Sequence, residues 1–225
     1  MTTLTYKTVS EINEAMGRVY GHMMAAVLNS MVVSYLVGSS PALLHFFFTG
    51  VTKWLVIFAP LIFVFAVPSI LNSNIGRAGK VLTLHAFAAL MGLSFATIFV
   101  IYTMGSIVSA FMGAGVLFGC LSLYGYFTKR DLDSLGKFMF VGLIAIVIAS
   151  IINIFVGSSV MQMVISALAI VIFLGLTAYD TQQIREIVSD GEAGDGAEIS
   201  GALTLYLDFI NIFLSLLNLF GDKKE

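Results

Sequence analysis

The chain has 225 residues, of which 59% are hydrophobic and only 11% are charged, and its mean hydropathy is +0.99. This composition excludes an ordinary soluble globular protein and indicates a membrane protein. A formal net charge of -2 is too small to indicate nucleic-acid binding, and the single cysteine, Cys120, excludes a disulfide framework and is expected to be a buried thiol.

The N-terminal residues predict a short helix that leads directly into the membrane. Thr8 and Glu11 have the spacing of a capping box, which predicts a helix through "SEINEAMGRVY". A frayed tail is the alternative for this segment. Because Lys7, Glu11 and Glu14 precede the first apolar run without a small-residue cleavage pattern, we expect no cleavable signal and a first run that remains as a helix.

Seven apolar runs are long enough to cross a bilayer core of about 30 Å, and in lipid such runs must be helical. In the fourth run, Gly115 and Gly119 are four residues apart, which favours close helix packing. No soluble domain is left over, so the sequence predicts one all-α transmembrane domain over residues 1–225, a seven-helix bundle. The predicted spans lie near residues 19–37, 54–71, 81–103, 107–127, 138–156, 160–179 and 201–220.

The basic residues between the runs predict the orientation of the chain in the membrane. If the N-terminus is cytoplasmic, eight Lys and Arg lie on that side and three, Lys53, Lys223 and Lys224, lie outside. Short cytoplasmic loops are enriched in these residues, so we expect the N-terminus in the cytoplasm. Seven spans would put the C-terminus outside, together with Lys223 and Lys224, two of the three lysines on that side.

Two carboxylates stand at or within the last two spans. Asp208 lies inside an apolar run, in "TLYLDFINIF", and Asp180 closes the sixth span, in "GLTAYDTQQIRE". A charge near the bilayer centre costs about 2.5 to 3.5 kcal/mol on insertion scales, so an intramembrane Asp is a functional hypothesis by default. A symmetric hairpin about Gly194 would place the two carboxylates at similar depth, although depth alone does not show that they face each other.

The seventh span carries a polar seam, a set of polar residues at spacings of three and four that share one helical face. In lipid such a face must meet other helices or a water-filled cavity, so we expect the last helix to be central in the bundle. An interhelical hydrogen-bonded seam without conduction is the alternative. The seam consists of Ser200, Thr204, Asp208, Asn211, Ser215 and Asn218.

No Lys or Arg lies within the seven apolar runs, which limits what can accompany Asp208. It must be protonated, share a proton with Asp180, bind a cation, or pair with a rim residue such as Arg77 or Arg185. Two close carboxylates cannot both ionise cheaply and titrate as a unit, which suits pH sensing. When both are ionised, Asp180 and Asp208 offer the hard oxygen ligands that Ca²⁺ prefers, and we expect transient binding.

The sequence does not indicate an enzyme or a resident cofactor. It contains no nucleotide-binding loop, HExxH element or nucleophile motif. An intramembrane aspartyl protease would also use two Asp on two helices, but its GxGD-type surroundings are missing at both positions.

Long motifs in matching order resemble the transmembrane Bax inhibitor motif family, also called the Bax inhibitor 1 family, in its bacterial inner-membrane branch. The resemblance runs almost end to end, and "LYLDFINIFLSLLNLFG" is similar to the C-terminal signature of the family. The other motifs are "VYGHMMAAV", "GLSFATIFVIYT", "SLYGYFTKRDLDSLGKFMF" and "FLGLTAYDTQ".

The resemblance implies seven helices with the last one surrounded by the other six, and a pH-sensitive calcium leak through the membrane. By motif, Asp180 and Asp208 would be its hydrogen-bonded sensor and gate. Family members are also described with an Arg at the end of the second helix that latches one aspartate. This sequence departs from that pattern, because the equivalent position falls near Asn74 and the nearest cation is Arg77.

Two other functions remain open at this point. A proton-coupled calcium exchanger would use the same titration to load and unload an ion. A non-conducting regulatory scaffold that binds another membrane protein belongs to a different class, and in it the polar seam would be structural. The expected partners are therefore Ca²⁺, protons, the lipid bilayer and, for the scaffold, a membrane protein; nucleic acid is not among them.

Overall fold

The computed structural model describes residues 7–71, 73–190 and 195–224, without the side chains at positions 61 and 195. The elements of the described residues are all helices, as predicted. They are α1 (Val9–Gly38), α2 (Pro41–Phe48), α3 (Thr52–Leu71), α4 (Gly76–Phe95), α5 (Ile98–Ile101), α6 (Met104–Phe127), α7 (Asp133–Val156), α8 (Ser159–Ser189) and α9 (Asp195–Phe220).

Helix α1 begins with the predicted capping box. The backbone N–H of Glu11 donates to Oγ1 of Thr8 at 3.3 Å, and the backbone N–H of Thr8 donates to Oε2 of Glu11 at 2.7 Å. This exchange satisfies two donors that a helix start leaves unpaired. The helix continues without a break to Gly38, so the prediction of a helix that leads into the first span is confirmed.

The chain is an all-helical polytopic membrane protein with six to seven candidate spans. Six helical segments of the described chain are long and apolar enough to cross a bilayer, with α4 and α5 counted as one. A seventh is added if Pro41–Phe48 and Thr52–Pro60, which meet at an angle of 80°, form one broken span. Inside α3, Pro60 and Pro68 each lack the backbone N–H that would continue the helical ladder.

The first of two compact units comprises the described residues within 1–103, 187–206 and 223–225. Its helices α1 and α4 approach closely at Gly92, where a side chain would collide with the backbone of Ser30. Ser30 Oγ donates to the Ala88 carbonyl at 2.8 Å, which leaves the Tyr206 hydroxyl, 2.7 Å away, as the donor to Ser30. The buried Ser30–Tyr206 bond thus joins the first half of α9 to α1.

The second unit comprises residues 104–186 and 207–222, and its close contact is at a different glycine from those predicted. Gly125 on α6 lies so near α8 that a side chain there would collide with the Ala178 carbonyl. Beside Gly115 and Gly119 no described atom lies within reach of an added side chain, so the prediction that these two pack a helix was wrong. Cys120, expected to be buried, is exposed.

Helix α9 is the most buried of the candidate spans. More than half of its span is buried, against a third or less of every other span of the described chain. The central position expected for the last helix stays a prediction. The prediction of a single transmembrane domain stays a prediction.

Candidate functional site

The structure brings Asp180 and Asp208 together. Asp180 lies in the last third of α8, which runs well past the predicted span end at residue 179, and Asp208 lies near the middle of α9. Their carboxyl groups are within hydrogen-bonding reach of each other. Asp208 is only 4% exposed, whereas Asp180 is partly exposed. Gly194, the predicted centre of the turn between them, lies outside the described residues.

One oxygen of the pair has no partner within the described chain. Asp208 Oδ2 is buried and accepts no hydrogen bond from any described residue. A hydrogen bond between two carboxyl groups requires a proton on one of them, because an ionised carboxylate only accepts. A hydrogen bond between Asp180 and Asp208 therefore requires a proton on one of the two carboxyl groups.

Residues directly after Asp180 hold α8 to α6 and to the loop that follows α6. Thr181 Oγ1 and Ser122 Oγ lie 3.0 Å apart and both side chains are buried. Gln182 Oε1 accepts from the backbone N–H of Leu132 at 2.9 Å, and its Nε2 donates to the Arg130 carbonyl at 2.9 Å. Sequence reasoning missed Gln182, although a run of polar residues in "DTQQIR" on a membrane helix was a visible signal.

Arg185, predicted as a counter-ion, lies on Tyr126 of α6. Its Nη1 donates to the Tyr126 carbonyl at 3.2 Å, and its guanidinium lies 5.1 Å from the centre of the Tyr126 ring. Both contacts add to the attachment of α8 on α6. The role of Arg185 as a counter-ion for the aspartates stays a prediction.

Arg77, the other predicted counter-ion, lies beside Glu198. Its Nη2 is 3.4 Å from Glu198 Oε2, and Asn74 is exposed in the turn before α4. Glu198 is also bound by Arg18, at 2.7 Å. Sequence reasoning missed Arg18 and Glu198, which lie just outside the predicted spans although the structure places both within long helices. A latch from Arg77 to an aspartate stays a prediction.

Two members of the predicted polar seam bond to their own helix. Thr204 Oγ1 donates to the Ser200 carbonyl at 3.2 Å, and Asn211 Nδ2 donates to the Leu207 carbonyl at 2.7 Å. Such bonds satisfy polar groups in an apolar setting without a second helix. Among the other seam residues, Asp208 and Ser215 are buried and Asn218 is exposed.

Asp180 and Asp208 alone do not supply all the oxygen ligands that a Ca²⁺ ion takes. No group of three or more His, Cys, Asp or Glu among the described residues is placed to hold a metal ion. Ca²⁺ takes six to eight oxygen ligands, and two carboxylates supply at most about four. Water and backbone carbonyls would have to complete the shell, and transient binding at Asp180 and Asp208 stays a prediction.

Relatives of this chain are bacterial proteins of similar length. The "Inner membrane protein YbhL" of Escherichia coli K12 is 35% identical over 214 residues, which is 93% of this chain and 92% of the relative. The "Uncharacterized protein RP147" of Rickettsia prowazekii is 37% identical over 229 residues, covering 100% and 96%. An uncharacterized protein of Deinococcus radiodurans is 35% identical over 222 residues, covering 97% and 94%.

The family model "Inhibitor of apoptosis-promoting Bax1" matches residues 12–225, almost the whole chain. Its members are generally not enzymes. The match agrees with the helical membrane architecture and with the motifs around both aspartates. This chain therefore belongs to the Bax inhibitor-1 (TMBIM) family of membrane proteins.

Proposed function

We propose that this chain is a passive, pH-sensitive calcium leak of the bacterial inner membrane, with Asp180 and Asp208 as its sensor and gate. The observation that supports it most directly is the buried Asp208 carboxyl, within hydrogen-bonding reach of Asp180 and with one oxygen unpartnered among the described residues. A buried, incompletely satisfied carboxyl in a membrane helix is costly and marks a proton or ion pathway.

The state of the gate follows from the charge on the pair. At low pH a proton between the two carboxyl groups holds α8 and α9 together at this point. As the pH rises the proton is lost, and two negative charges at hydrogen-bonding distance repel strongly in a medium of low dielectric constant. The carboxylates then separate and attract a cation, so ion flux increases with pH.

The two aspartates differ in their access to water. Asp180 is partly exposed, whereas Asp208 is buried. Protons therefore exchange with water at Asp180 first and reach Asp208 through it. The contacts of Thr181 and Gln182 hold α8 in place, so Asp208 on α9 is the member of the pair that moves.

The location and the ion rest on the relatives and the family resemblance. The E. coli relative is named an inner membrane protein, and we assign the same membrane to this chain. The excess of Lys and Arg in one set of loops supports a cytoplasmic N-terminus. Calcium is the ion that the resemblance implies, and carboxylate oxygens are suitable ligands for it.

Calcium entry into proteoliposomes across a pH series tests the proposal. We expect the wild type to conduct more as the pH rises, and Asp180→Asn and Asp208→Asn to lose the pH dependence, since an amide has nearly the shape of the carboxyl but does not titrate. Asp131→Asn is the matched control, because Asp131 is an exposed loop residue whose Oδ1 accepts from Asp133 N–H, a bond that an Asn oxygen can keep.

Other outcomes would identify a different function. Equal, pH-independent flux in the wild type and both aspartate variants would eliminate the sensor. Proton movement opposite to calcium, driven by an imposed proton gradient, would identify an exchanger. If no variant or wild-type sample conducts, and a membrane protein binds the wild type and both variants equally, the scaffold is the correct function.

A further inference from the structure

Glu198 is a second buried carboxylate, in the first turns of α9, and it lies outside the aspartate pair. The guanidinium of Arg18 grips it with Nε at 3.0 Å from both carboxylate oxygens and Nη2 at 2.7 Å from Oε1. Arg77 approaches from α4, with Nη2 at 3.4 Å from Oε2. We call Arg18, Arg77 and Glu198 the Glu198 clamp.

The clamp is unusual in its burial and charge. Glu198 is 6% exposed, while the side chains of Arg18 and Arg77 are 37% and 40% exposed. Arg18 also touches Glu14, but that carboxylate is largely exposed. A buried carboxylate depends on its partners, because removing one side of such a pair leaves an uncompensated charge.

The clamp joins three helices of the first unit. It ties the start of α9 to α1 through Arg18 and to α4 through Arg77. About two turns further along α9, Tyr206 bonds to Ser30 of α1 in the fully buried contact described above. The first half of α9 is therefore held to α1 at two points. One is the ion pair of Glu198 with Arg18 near the N-terminal end of α9, and the other is the buried hydroxyl pair of Tyr206 and Ser30.

Helix continuity connects the clamp to the aspartate pair. Asp208 follows Tyr206 by two residues and follows Glu198 by ten, which is about 15 Å along an unbroken helix. If the clamp opens, the N-terminal turns of α9 are free to pivot about the Ser30–Tyr206 contact. Asp208 follows that contact on the same helix, so a change in the tilt or rotation of α9 changes the direction in which its carboxyl group points.

We propose that Glu198 is a positioning residue: held by Arg18 and Arg77, it keeps the first half of α9 against α1 and α4 and so sets how Asp208 faces Asp180. The restraint on α9 is independent of what the protein transports. Its effect on calcium flux rests on the proposed function.

Hydrogen–deuterium exchange of the full-length protein in lipid nanodiscs measures the restraint directly. In Glu198→Gln we expect the backbone amides of residues 196–206 to exchange about tenfold faster or more, since loss of one partner of a buried ion pair is strongly destabilising. Glu14→Gln is the matched control: it removes a carboxylate at 2.9 Å from the same guanidinium, but an exposed one, and should exchange like the wild type.

A milder variant keeps the test decisive if Glu198→Gln does not fold. Arg77→Gln removes the longer contact to Glu198 and leaves the shorter contacts of Arg18 in place, so the same amides should exchange faster by a smaller factor. Wild-type exchange rates in whichever of the two variants folds would overturn the clamp.

Calcium flux in proteoliposomes then shows whether Glu198 sets how Asp208 faces Asp180 or only attaches α9 to its neighbouring helices. We expect Glu198→Gln to shift the midpoint of the flux–pH profile, because Asp208 faces Asp180 differently, while Glu14→Gln keeps the wild-type profile. Faster exchange with an unchanged midpoint would overturn the positioning role. If the wild type carries no calcium, the proposed function fails. The hydrogen–deuterium exchange rates around Asp208 are then measured across a pH series, and their midpoint replaces that of the flux profile. We expect Glu198→Gln to shift this midpoint, and an unchanged midpoint would overturn the positioning role.

Discussion

Asp208 combines three properties that rarely meet in one side chain. It is almost fully buried, it lies in a candidate membrane span, and one of its oxygens has no hydrogen-bond partner among the described residues. Its neighbour Asp180 is also acidic, so ionisation of both is opposed by burial and by repulsion together. The charge state of this residue should therefore affect the stability of the protein as well as the proposed conduction.

We predict that the wild type loses stability as the pH rises and that Asp208→Asn does not. The aspartate pair holds a proton more tightly in the folded state than in the unfolded state. Raising the pH removes this proton, so it lowers the free energy of unfolding. The difference between acid and alkaline conditions should be about 1 to 3 kcal/mol in the free energy of unfolding, the usual cost of an unsatisfied buried polar group. Thermal unfolding in detergent across a pH series measures it.

The control for this stability prediction is Asp131→Asn, which should follow the wild-type curve. A wild-type stability that is flat with pH, or a slope that survives in Asp208→Asn, would contradict the prediction. Because unfolding is measured without an ion gradient, the result is independent of calcium transport.

At the scale of helices, α8 is attached to α6 at several points. Gly125 of α6 lies against the Ala178 carbonyl, and Thr181 and Ser122 contact each other one turn away. Ala178 precedes Asp180 by two residues. The position of Asp180 thus depends on how closely α6 can approach α8.

We predict that Gly125→Ala destabilises the protein by about 1 to 3 kcal/mol, the typical cost of an overpacked site, because the added methyl group meets the Ala178 backbone. Gly119→Ala, on the same helix but beside open space, should be neutral or more stable by up to about 1 kcal/mol through helix propensity. Thermal unfolding of the two variants compares them, and equal midpoints would show that the contact is not tight in solution.

At the scale of the whole chain, two terminal contacts favour one number of membrane crossings over another. The backbone N–H of Lys7 donates to the Ser189 carbonyl at 3.1 Å, so the N-terminal end of α1 lies beside the end of α8. An even number of crossings must separate two points on one side. The segments between them provide five without α3 and six with it, so the contact favours α3 as a true span and seven crossings in all.

The C-terminal tail supports the same topology. The backbones of Lys223 and Tyr102 form an isolated antiparallel β-bridge, and the Lys224 backbone N–H donates to the Ile101 carbonyl at 2.9 Å. The Lys224 ammonium donates to the Phe99 carbonyl at 2.7 Å. This tail therefore lies at the turn after α5, which three crossings separate from the N-terminus.

We predict that the N- and C-termini lie on opposite sides of the membrane, because seven crossings are an odd number. Single cysteines placed before α1 and after α9, in a Cys120→Ser background, should react with a membrane-impermeant thiol reagent from opposite sides of oriented vesicles. Labelling of both positions from the same side would contradict seven crossings and would favour six, with the segment around α2 and α3 re-entering the side from which it came.

Sequence reasoning succeeded where one local property decides the structure. Apolar run length identified six candidate spans, and a seventh if the bent pair around α2 and α3 is one span, because a bilayer leaves backbone groups no alternative to helices. The capping box of Thr8 and Glu11 identified the start of α1. It failed for Gly115 and Gly119, since a glycine spacing marks where helices can approach but not which neighbour is present. It also missed Gln182, whose partners come from the loop after α6.

The sequence by itself determined a helical membrane protein with two carboxylates in its last two spans, because hydropathy and the cost of charge in lipid act on each segment separately. Only the tertiary structure decided that Asp180 and Asp208 face each other and that Arg18 and Arg77 enclose Glu198. Those pairings depend on the rotation and offset of packed helices. Rotation and offset are set by side-chain contacts between residues far apart in the chain, which no single segment contains.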